Sequence, residues 1–281
     1  MAKISAIIPT MKGREDMLKR LLDSLPEDVE KIVVDDENLL LAAKRNKGAR
    51  LATGDYFFFV DDDNYLKDFA LNEMVGKFTE EIGVMGMTAC YHDKKRIVAD
   101  GGSQRNMLTG FTVGLRTNKT LHHESSFLDD WKDYRPYDVD EVANAFMIPR
   151  NVFEESGGFD EENFPIDLDE ADLCKRIKDM GYRIVMNPKA ICYHKSQTYS
   201  HIINFRRPSN AYFLSRNIIL FQGKYLNALS YWVFVVVFLP VRLLFYSASL
   251  VWRKKFSMIP WVLKGTWDGL RGCRENQFQQ K

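Results

Sequence analysis

The chain has few cysteines and almost no net charge. Its four cysteines, among 281 residues, are widely scattered and lack CxxC spacing. This pattern argues against a disulfide-rich scaffold or a zinc site and fits a reducing compartment. Lysine and arginine number 39 against 38 acidic residues, which gives a formal net charge of +1. Nucleic-acid-binding proteins usually carry a basic excess, so we expect no nucleic-acid partner. The cysteines are Cys90, Cys174, Cys192 and Cys273.

The N-terminus lacks a recognisable export signal. Its apolar run, residues 4–8, is too short for a secretory signal peptide and is followed by Pro9 and Thr10 rather than a small-residue cleavage site. We therefore expect the N-terminal part of the chain to lie in the cytosol.

Strand and helix patterns alternate near the N-terminus. Short β-branched or aromatic runs at residues 4–8, 31–34 and 56–60 predict strands, and the apolar spacing of residues 16–25 and 39–52 predicts helices. The alternation predicts an α/β fold with a mostly parallel sheet flanked by helices. Ligands bind beyond the carboxyl ends of such strands. The residues at those ends are Pro9, Thr10, Asp35, Asp36, Asp61, Asp62 and Asp63.

Three carboxylates directly follow the third apolar strand. Asp61, Asp62 and Asp63 repel one another, and a hard divalent cation, Mg²⁺ or Mn²⁺, would offset that repulsion. Because side chains alternate along a strand, we expect Asp61 and Asp63 to point the same way and Asp62 the opposite way. Acidic triplets are also common at solvated loop tips, so spacing alone leaves the two interpretations balanced.

The C-terminal part differs in composition. Residues 226–252 contain one charge, Arg242, and are flanked by basic residues and aromatic rings, which is typical of membrane segments. About 20 such residues suffice to cross a bilayer. Pro240 and Arg242 near the middle disfavour one straight span, so we predict a re-entrant hairpin or a pair of interfacial helices. A buried helix pair at a dimer interface is the alternative.

Six sequence segments carry a family resemblance. In chain order they are SAIIPTMKGREDMLKRLLDSL, KIVVDDEN, KRNKGARLATGDYFFFVDDDN, NVFEESGGFDEENF, DEADLCKRIKDMGYRIVMNPKAICYHK and YFLSRNIILF. They cover most of residues 4–221 and, in this order, resemble glycosyltransferase family 2, and the later WVLKGTWDGLRG resembles the rhamnosyltransferase-like members. The resemblance implies a GT-A catalytic domain with a Rossmann-like sheet over residues 1–222, and a hydrophobic, membrane-associated helical region over residues 223–281.

The resemblance also implies a donor site and a metal site. Asp61 and Asp63 match the outer acids of the family's DXD motif, and His194, at the end of a strand, would complete a site for Mn²⁺ or Mg²⁺. A solvated helix face is the alternative for Lys44 and Lys47. The residues implied in binding the nucleotide sugar are Pro9, Thr10, Asp36, Arg45, Asn46 and Asp62.

The motif DEADLCKR matches the family's acidic motif, in which Glu170 takes the place of the general base. A helix dipole favours its ionised form, whereas neighbouring carboxylates favour the protonated form. The family more often has Glu-Asp where this chain has Asp-Glu, so Asp169 is a candidate substitute. The alternative is that these acids only cap the helix start.

The resemblance places further residues beside the acceptor. Gly157, Gly158 and Asp160 belong to a loop expected there, and Arg216 is expected to contact the diphosphate or anionic lipid headgroups, as are Arg206, Arg207 and Asn217. Only eight residues separate Asp36 from Arg45, where the family usually has another helix and strand. The identity of the nucleotide base therefore stays open.

Together these features predict an inverting, metal-dependent transfer of a sugar from a nucleotide-diphosphate sugar to a hydroxyl group. The expected acceptor is a lipid-linked glycan in polysaccharide biosynthesis, reached from the cytoplasmic face of the membrane. A sugar nucleotidyltransferase is an alternative, although IPTMKGRED has one glycine where a glycine-rich phosphate loop would be expected. A non-catalytic, membrane-docked glycan- or nucleotide-binding module is another. The sugar, the acceptor's identity and the oligomeric state, including a homo-oligomer, stay open.

Overall fold

The computed structural model describes residues 2–91, 97–99, 102–114, 135–194 and 207–274. The central sheet contains seven main strands: β1 (Ile4–Pro9), β2 (Glu30–Val34), β3 (Tyr56–Val60), β4 (Asn64–Leu66), β5 (Ile82–Tyr91), β11 (Ala145–Pro149) and β12 (Arg183–His194). Their order across the sheet is β2-β1-β3-β11-β5-β12-β4. Five of these strands run in the same direction, and β11 runs against them between β3 and β5.

Short strands extend the sheet and form a second one. Strand β6 (Ile97–Ala99) pairs with β5, and β9 (Tyr137–Asp138) pairs with β12. A separate three-stranded sheet contains β7 (Gly102–Arg105), β8 (Thr112–Gly114) and β10 (Glu141–Val142).

Helices cover both faces of the central sheet. Along β3, Phe58 and Val60 face one apolar core, whereas Phe57 and Phe59 face the other, because side chains alternate along a strand. All four are buried. The predicted mostly parallel α/β fold is therefore confirmed. The helices packed around it are α1 (Glu15–Ser24), α2 (Leu41–Leu51), α3 (Ala70–Val75), α4 (Arg150–Glu155) and α5 (Asp169–Asp179).

Three longer helices complete the described chain. These are α6 (Pro208–Tyr225), α7 (Ala228–Trp252) and α8 (Ile259–Leu270). The buried side chains of α7 face the rest of the protein, and the same helix is long and apolar enough to cross a membrane.

The predicted hairpin at Pro240 is wrong, because α7 continues through that residue. A proline lacks the N–H that would bond four residues back, and its ring clashes with the carbonyl there. The segment just before it, Phe234–Phe238, is π-helical, and the N–H of Leu239 donates to the carbonyl of Phe234. This wider turn admits the proline without breaking the helix.

Candidate active site

The carboxyl ends of β1 and β3 open into a cavity of about 360 Å³. Pro9 and Thr10 contribute from the end of β1, and the three aspartates from the turn after β3. Arg207, Ser209 and Asn210 contribute from the start of α6. Parallel strands bring these ends to one edge, as the sequence predicted. The lining residues are Pro9, Thr10, Met11, Arg14, Leu39, Leu40, Leu41, Lys44, Asp61, Asp62, Asp63, Ile166, Arg207, Ser209 and Asn210.

The three aspartates lie in a turn rather than on the strand, so the predicted alternation is wrong. Strand β3 ends at Val60, and the N–H of Asn64 donates to the carbonyl of Asp61 at 3.1 Å. Each carboxylate consequently has its own partners, and all three line the cavity.

Two of the carboxylates have basic side chains as partners near the cavity. Buried Asp62 accepts a hydrogen bond from the hydroxyl of Thr10 at 2.7 Å and another from the guanidinium of Arg14. Asp63 lies 3.3 Å from Nε2 of His194. Burial acts to raise the pKa of Asp63, but His194 and Arg14 outweigh it and the pKa is lowered. Arg14 was not predicted from the sequence.

The set formed by Asp63, His194 and Asp61 fits a divalent cation that also takes ligands from a substrate. His194 Nδ1 is buried without a hydrogen-bond partner, and Nε2 faces Asp63. No group of three or more His, Cys, Asp or Glu side chains is already arranged around a metal position within the described ranges. Mg²⁺ commonly uses one or two protein carboxylates together with substrate phosphates, so such a site does not need a complete set of protein ligands.

Arg45 joins the acidic turn after β3 to the acidic start of α5. Its Nη1 lies 2.7 Å from Asp169, and its Nη2 lies 2.9 Å from both Asp61 and Glu170. The arginine is fully buried. It therefore holds three carboxylates together and does not line the cavity, in contrast to the predicted approach to donor phosphates.

Burial raises the pKa of two carboxyl groups in this cluster. Desolvation raises the pKa of Glu170, opposed by Arg45 and reinforced by Asp169 and Asp61. Desolvation also raises the pKa of Asp169. Arg45 acts to lower this pKa, and Asp167 acts to raise it further. The side chain of Glu170 is 18% exposed and that of Asp169 is 1% exposed. Glu170 is therefore the more exposed of the two carboxylates, and neither of them is among the residues that line the cavity.

The loop before α5 has a strained backbone held by α6. Asp167 and Leu168 have positive φ angles of 63° and 66°. This backbone conformation is unfavourable for residues other than glycine. The amide of Asn217 donates to the carbonyls of Ile166 and Asp167 at 2.7 and 2.8 Å. These bonds fix the conformation from which α5 begins.

Arg216 belongs to the same brace and does not face an acceptor. It is fully buried and donates to the carbonyl of Asn163 at 2.6 Å. Its prediction as an acceptor-side residue is therefore wrong, because α6 presents this side chain to the loop. Arg207 lines the cavity. Arg206 lies outside the described residues.

Asn46 also acts within the protein. Its amide donates to the carbonyl of Phe159 at 2.8 Å, and its oxygen accepts from the N–H of Phe159 at 2.9 Å. Gly158 has a φ of 72°, and a Cβ there would lie 2.9 Å from Oδ1 of Asn46. Gly157 has a φ of 80°, which also favours glycine. The residue predicted to approach the donor thus fixes the glycine loop.

Asp36 and Asp160 are both paired within the protein. Asp36 lies 2.9 Å from Nζ of Lys47 and is not among the residues that line the cavity. Asp160 accepts from Asn163 and lies 3.0 Å from Nζ of Lys224. The roles predicted for both aspartates, in base recognition and acceptor binding, stay predictions.

For Lys44, the alternative prediction of a side chain on a solvated helix face is wrong. It is buried, lines the cavity and donates to the carbonyl of Thr10 at 2.6 Å. A single sequence gave no signal that distinguishes it from half-exposed Lys47, because both lie on α2 three residues apart.

Comparison with solved structures identifies the architecture as the GT-A fold of glycosyltransferases. Mannosyltransferase PcManGT from Pyrobaculum calidifontis, in complex with GDP-Man and Mn²⁺, is 12% identical with a TM-score of 0.51, over 96% of this chain and 87% of that one. S. aureus TarS 1-349, in complex with UDP-GlcNAc, is 15% identical with a TM-score of 0.55, over 96% and 81%. At these identities the similarity shows the fold.

Residues 31–128 match the family model of glycosyl transferase family 2. This match and the GT-A neighbours confirm the resemblance seen in the sequence. The rhamnosyltransferase-like subtype stays a prediction. No curated protein matches the sequence.

Proposed function

We propose that this protein transfers a sugar from a nucleotide-diphosphate sugar to a hydroxyl group of a membrane-associated acceptor, with inversion at the anomeric carbon. One observation carries the proposal: the acidic turn after β3 and the acidic start of α5 meet at Arg45, next to a cavity that Asp61 lines. This arrangement places a carboxylate base near groups suited to phosphate and metal binding.

The cavity has the chemistry of a nucleotide-sugar site. Pro9 and three consecutive leucines, Leu39 to Leu41, supply apolar surface against which a nucleoside can pack. Arg14, Lys44 and Arg207 supply positive charge for the diphosphate. PcManGT was solved with GDP-Man and TarS with UDP-GlcNAc, which supports a nucleotide sugar as the donor.

In the proposed reaction, Glu170 accepts the proton of the acceptor hydroxyl as its oxygen attacks the anomeric carbon. The new carbon–oxygen bond forms opposite the bond to the diphosphate, which leaves with the electron pair of that bond. A single displacement of this kind inverts the anomeric configuration. The raised pKa of Glu170 makes it a stronger base than an exposed glutamate. Asp169 is buried against Arg45 and positions that arginine.

The residues that would hold a divalent cation are Asp63 and His194, together with Asp61. Such a cation supplies positive charge beside the departing diphosphate. Burial opposes the ionised form of Asp63, but His194 and, 3.9 Å away, Arg14 lower the pKa of this carboxylate.

A membrane-associated acceptor and a position at the cytoplasmic face complete the proposal. Their support is α7, which is long and apolar enough to cross a membrane, and the basic residues that follow it.

The proposal is tested with the purified full chain and a panel of UDP-, GDP- and dTDP-sugars. We expect one donor to raise the melting temperature only with Mn²⁺ or Mg²⁺, because a ligand that binds only the folded state stabilises it. We also expect slow metal-dependent hydrolysis of that donor without acceptor. Full turnover in chelator would contradict the metal's role. Stabilisation without hydrolysis or transfer would indicate a binding module.

A further inference from the structure

The apolar helix α7 packs against the catalytic part of the protein at several positions along its length. Its Phe234 belongs to one cluster with Ile218 and Ile219 of α6, and its Leu250 belongs to another with Ala211. Helices α6 and α7 are therefore antiparallel neighbours, because the start of α7 meets the end of α6. The remaining buried residues of the α7 stripe are Leu239, Arg242, Tyr246 and Ser249.

Helix α6 is in turn bonded to the catalytic part. Asn217 donates to Ile166 and Asp167, Gln222 donates to the carbonyl of Met107, and Tyr225 donates to the carboxylate of Asp172. A helix that packs along α6 cannot cross a bilayer end-on while keeping these contacts, because the catalytic part would have to enter the hydrocarbon with it.

The charged residue within α7, Arg242, also contacts the protein. Arg242 is buried, donates to the hydroxyl of Tyr246 at 2.6 Å and lies 4.4 Å above the ring of Phe111. Phe111 belongs to the catalytic part, just before β8. An arginine fixed in this way does not have to be placed in the hydrocarbon core, where it would be expensive.

The opposite face of α7 is apolar and exposed. Trp232 lies near one end and Trp252 at the other, and aromatic rings of this kind favour the boundary between lipid tails and water. Aliphatic side chains fill the surface between them. The exposed aliphatic residues used below are Leu229, Val236, Leu244 and Val251.

The charge around this face identifies its partner. Residues 226–267 contain no aspartate or glutamate, and apart from buried Arg242 their charged residues are one arginine and three lysines. Three of these four, Arg253, Lys254 and Lys255, follow α7 directly. A second copy docked in parallel would bring these basic ends together, and an antiparallel copy would offer them no acidic residue from this segment, whereas an anionic lipid surface complements them.

We propose that α7 is an in-plane anchor: it lies on an anionic membrane surface with its exposed face among the lipids and does not span the bilayer. This inference rests on the proposed membrane-associated acceptor and specifies how the protein reaches it. The cluster that joins Ala211 to Leu250 places the basic end of α7 at the start of α6, whose Ser209 and Asn210 line the donor cavity. The anchor therefore brings the cavity close to the lipid headgroups.

The experiment uses the full chain added to preformed, sealed vesicles of phosphatidylcholine, with or without phosphatidylglycerol. Two variants in a Cys273→Ser background carry one new thiol each, Ala228→Cys at the first residue of α7 and Ser257→Cys after the helix. After flotation, a membrane-impermeant maleimide is applied from outside. An in-plane helix leaves both thiols accessible before detergent is added. A spanning helix protects one of them until the vesicles are opened, which would overturn the proposal.

Substitutions test the lipid-facing surface. The double variant Val236→Gln, Leu244→Gln is expected to weaken vesicle binding more than about tenfold. Two aliphatic side chains that insert among the lipids are replaced by polar ones. Leu51→Gln, at an exposed leucine of α2, is the matched control and should bind as wild type. Lys254→Gln should weaken binding about fivefold, and only to vesicles with phosphatidylglycerol.

The outcomes separate the anchor from the transfer reaction. Metal-dependent stabilisation by a nucleotide sugar without any vesicle binding would overturn the anchor and leave the proposed enzyme intact. Vesicle binding without donor binding would do the reverse. A stable dimer that dissociates in the Val236→Gln, Leu244→Gln variant, without vesicle binding, would show that a second copy covers this face and would overturn the proposal.

Discussion

Arg45 Nη2 lies 2.9 Å from the carboxylate of Glu170. The same nitrogen lies 2.9 Å from Asp61, so the proposed base and the first acid after β3 share one guanidinium. The link joins residues far apart in the sequence and explains how like charges are tolerated at the end of a buried strand. Arg45 therefore supplies part of the positive charge that these carboxylates need.

Loss of this arginine should destabilise the fold. Arg45→Met leaves buried Asp169 and partly buried Glu170 without their cation, which typically costs about 3–5 kcal/mol of the free energy of unfolding. Denaturant unfolding measures the change. Arg50→Met, at an exposed position of the same helix, should stay within about 0.5 kcal/mol of wild type. Equal effects of the two substitutions would show that the cluster contributes nothing.

The rate of transfer should depend on the protonation of Glu170. Because burial raises its pKa above the ordinary value of 4.5, the base becomes ionised only at higher pH than an exposed glutamate. We expect kcat/KM to rise with pH through a midpoint well above 4.5 and then level off. A rate that is already independent of pH at that value would argue against Glu170 as the base.

Asn217 should position the acidic motif, and its removal should lower kcat more than it raises KM for the donor. Asn217→Asp keeps the shape but loses both N–H donors to the strained loop. Gln222→Glu is the matched control, since Gln222 lies on the same helix and donates to Met107, away from Glu170. Both substitutions should lower stability by about 1–3 kcal/mol. Similar kcat losses in both would indicate general destabilisation.

The contact between α6 and α8 should require glycine. A Cβ at Gly265 would lie 2.2 Å from the carbonyl oxygen of Tyr212, so Gly265→Ala must push the helices apart. We expect a loss of about 1–3 kcal/mol in the free energy of unfolding, as for other overpacked sites. Gly223→Ala meets only an ordinary contact of 3.4 Å and should be neutral or gain up to about 1 kcal/mol. A stable Gly265→Ala variant would refute this close packing.

The sequence predicted the repeating part of the fold well. Apolar periodicity identified β1, β2 and β3 and the helices between them. Strands β1 and β3 are buried on both faces, β2 is an edge strand that exposes Lys31 and Val33, and the helices bury one face. It missed β11, which lies antiparallel between β3 and β5. Sequence spacing carries no information on which distant strand fills a gap in a sheet. Residues 182–188 and 189–195 each have a strand pattern, and the structure joins most of them in one strand, β12, with an irregular register.

The candidate site was predicted in its chemistry more than in its geometry. Asp61, Asp62 and Asp63 reach the cavity as expected, and Asp63 lies beside His194. Arg45, Asn46 and Arg216 were predicted to face substrates but are turned toward the protein. Charged and amide side chains are usually exposed, so their burial depends on distant partners that the sequence does not display.

The central claim is that Asp63 and Glu170 have separate roles, in metal-dependent donor binding and in proton removal. The most direct test measures donor affinity and transfer rate for Asp63→Ala and Glu170→Gln, with Asp68→Ala, at an exposed position, as the control. We predict that both variants lose transfer and that only Asp63→Ala loses metal-dependent donor binding. Equal loss of donor binding in both, or normal transfer by Glu170→Gln, would contradict the account.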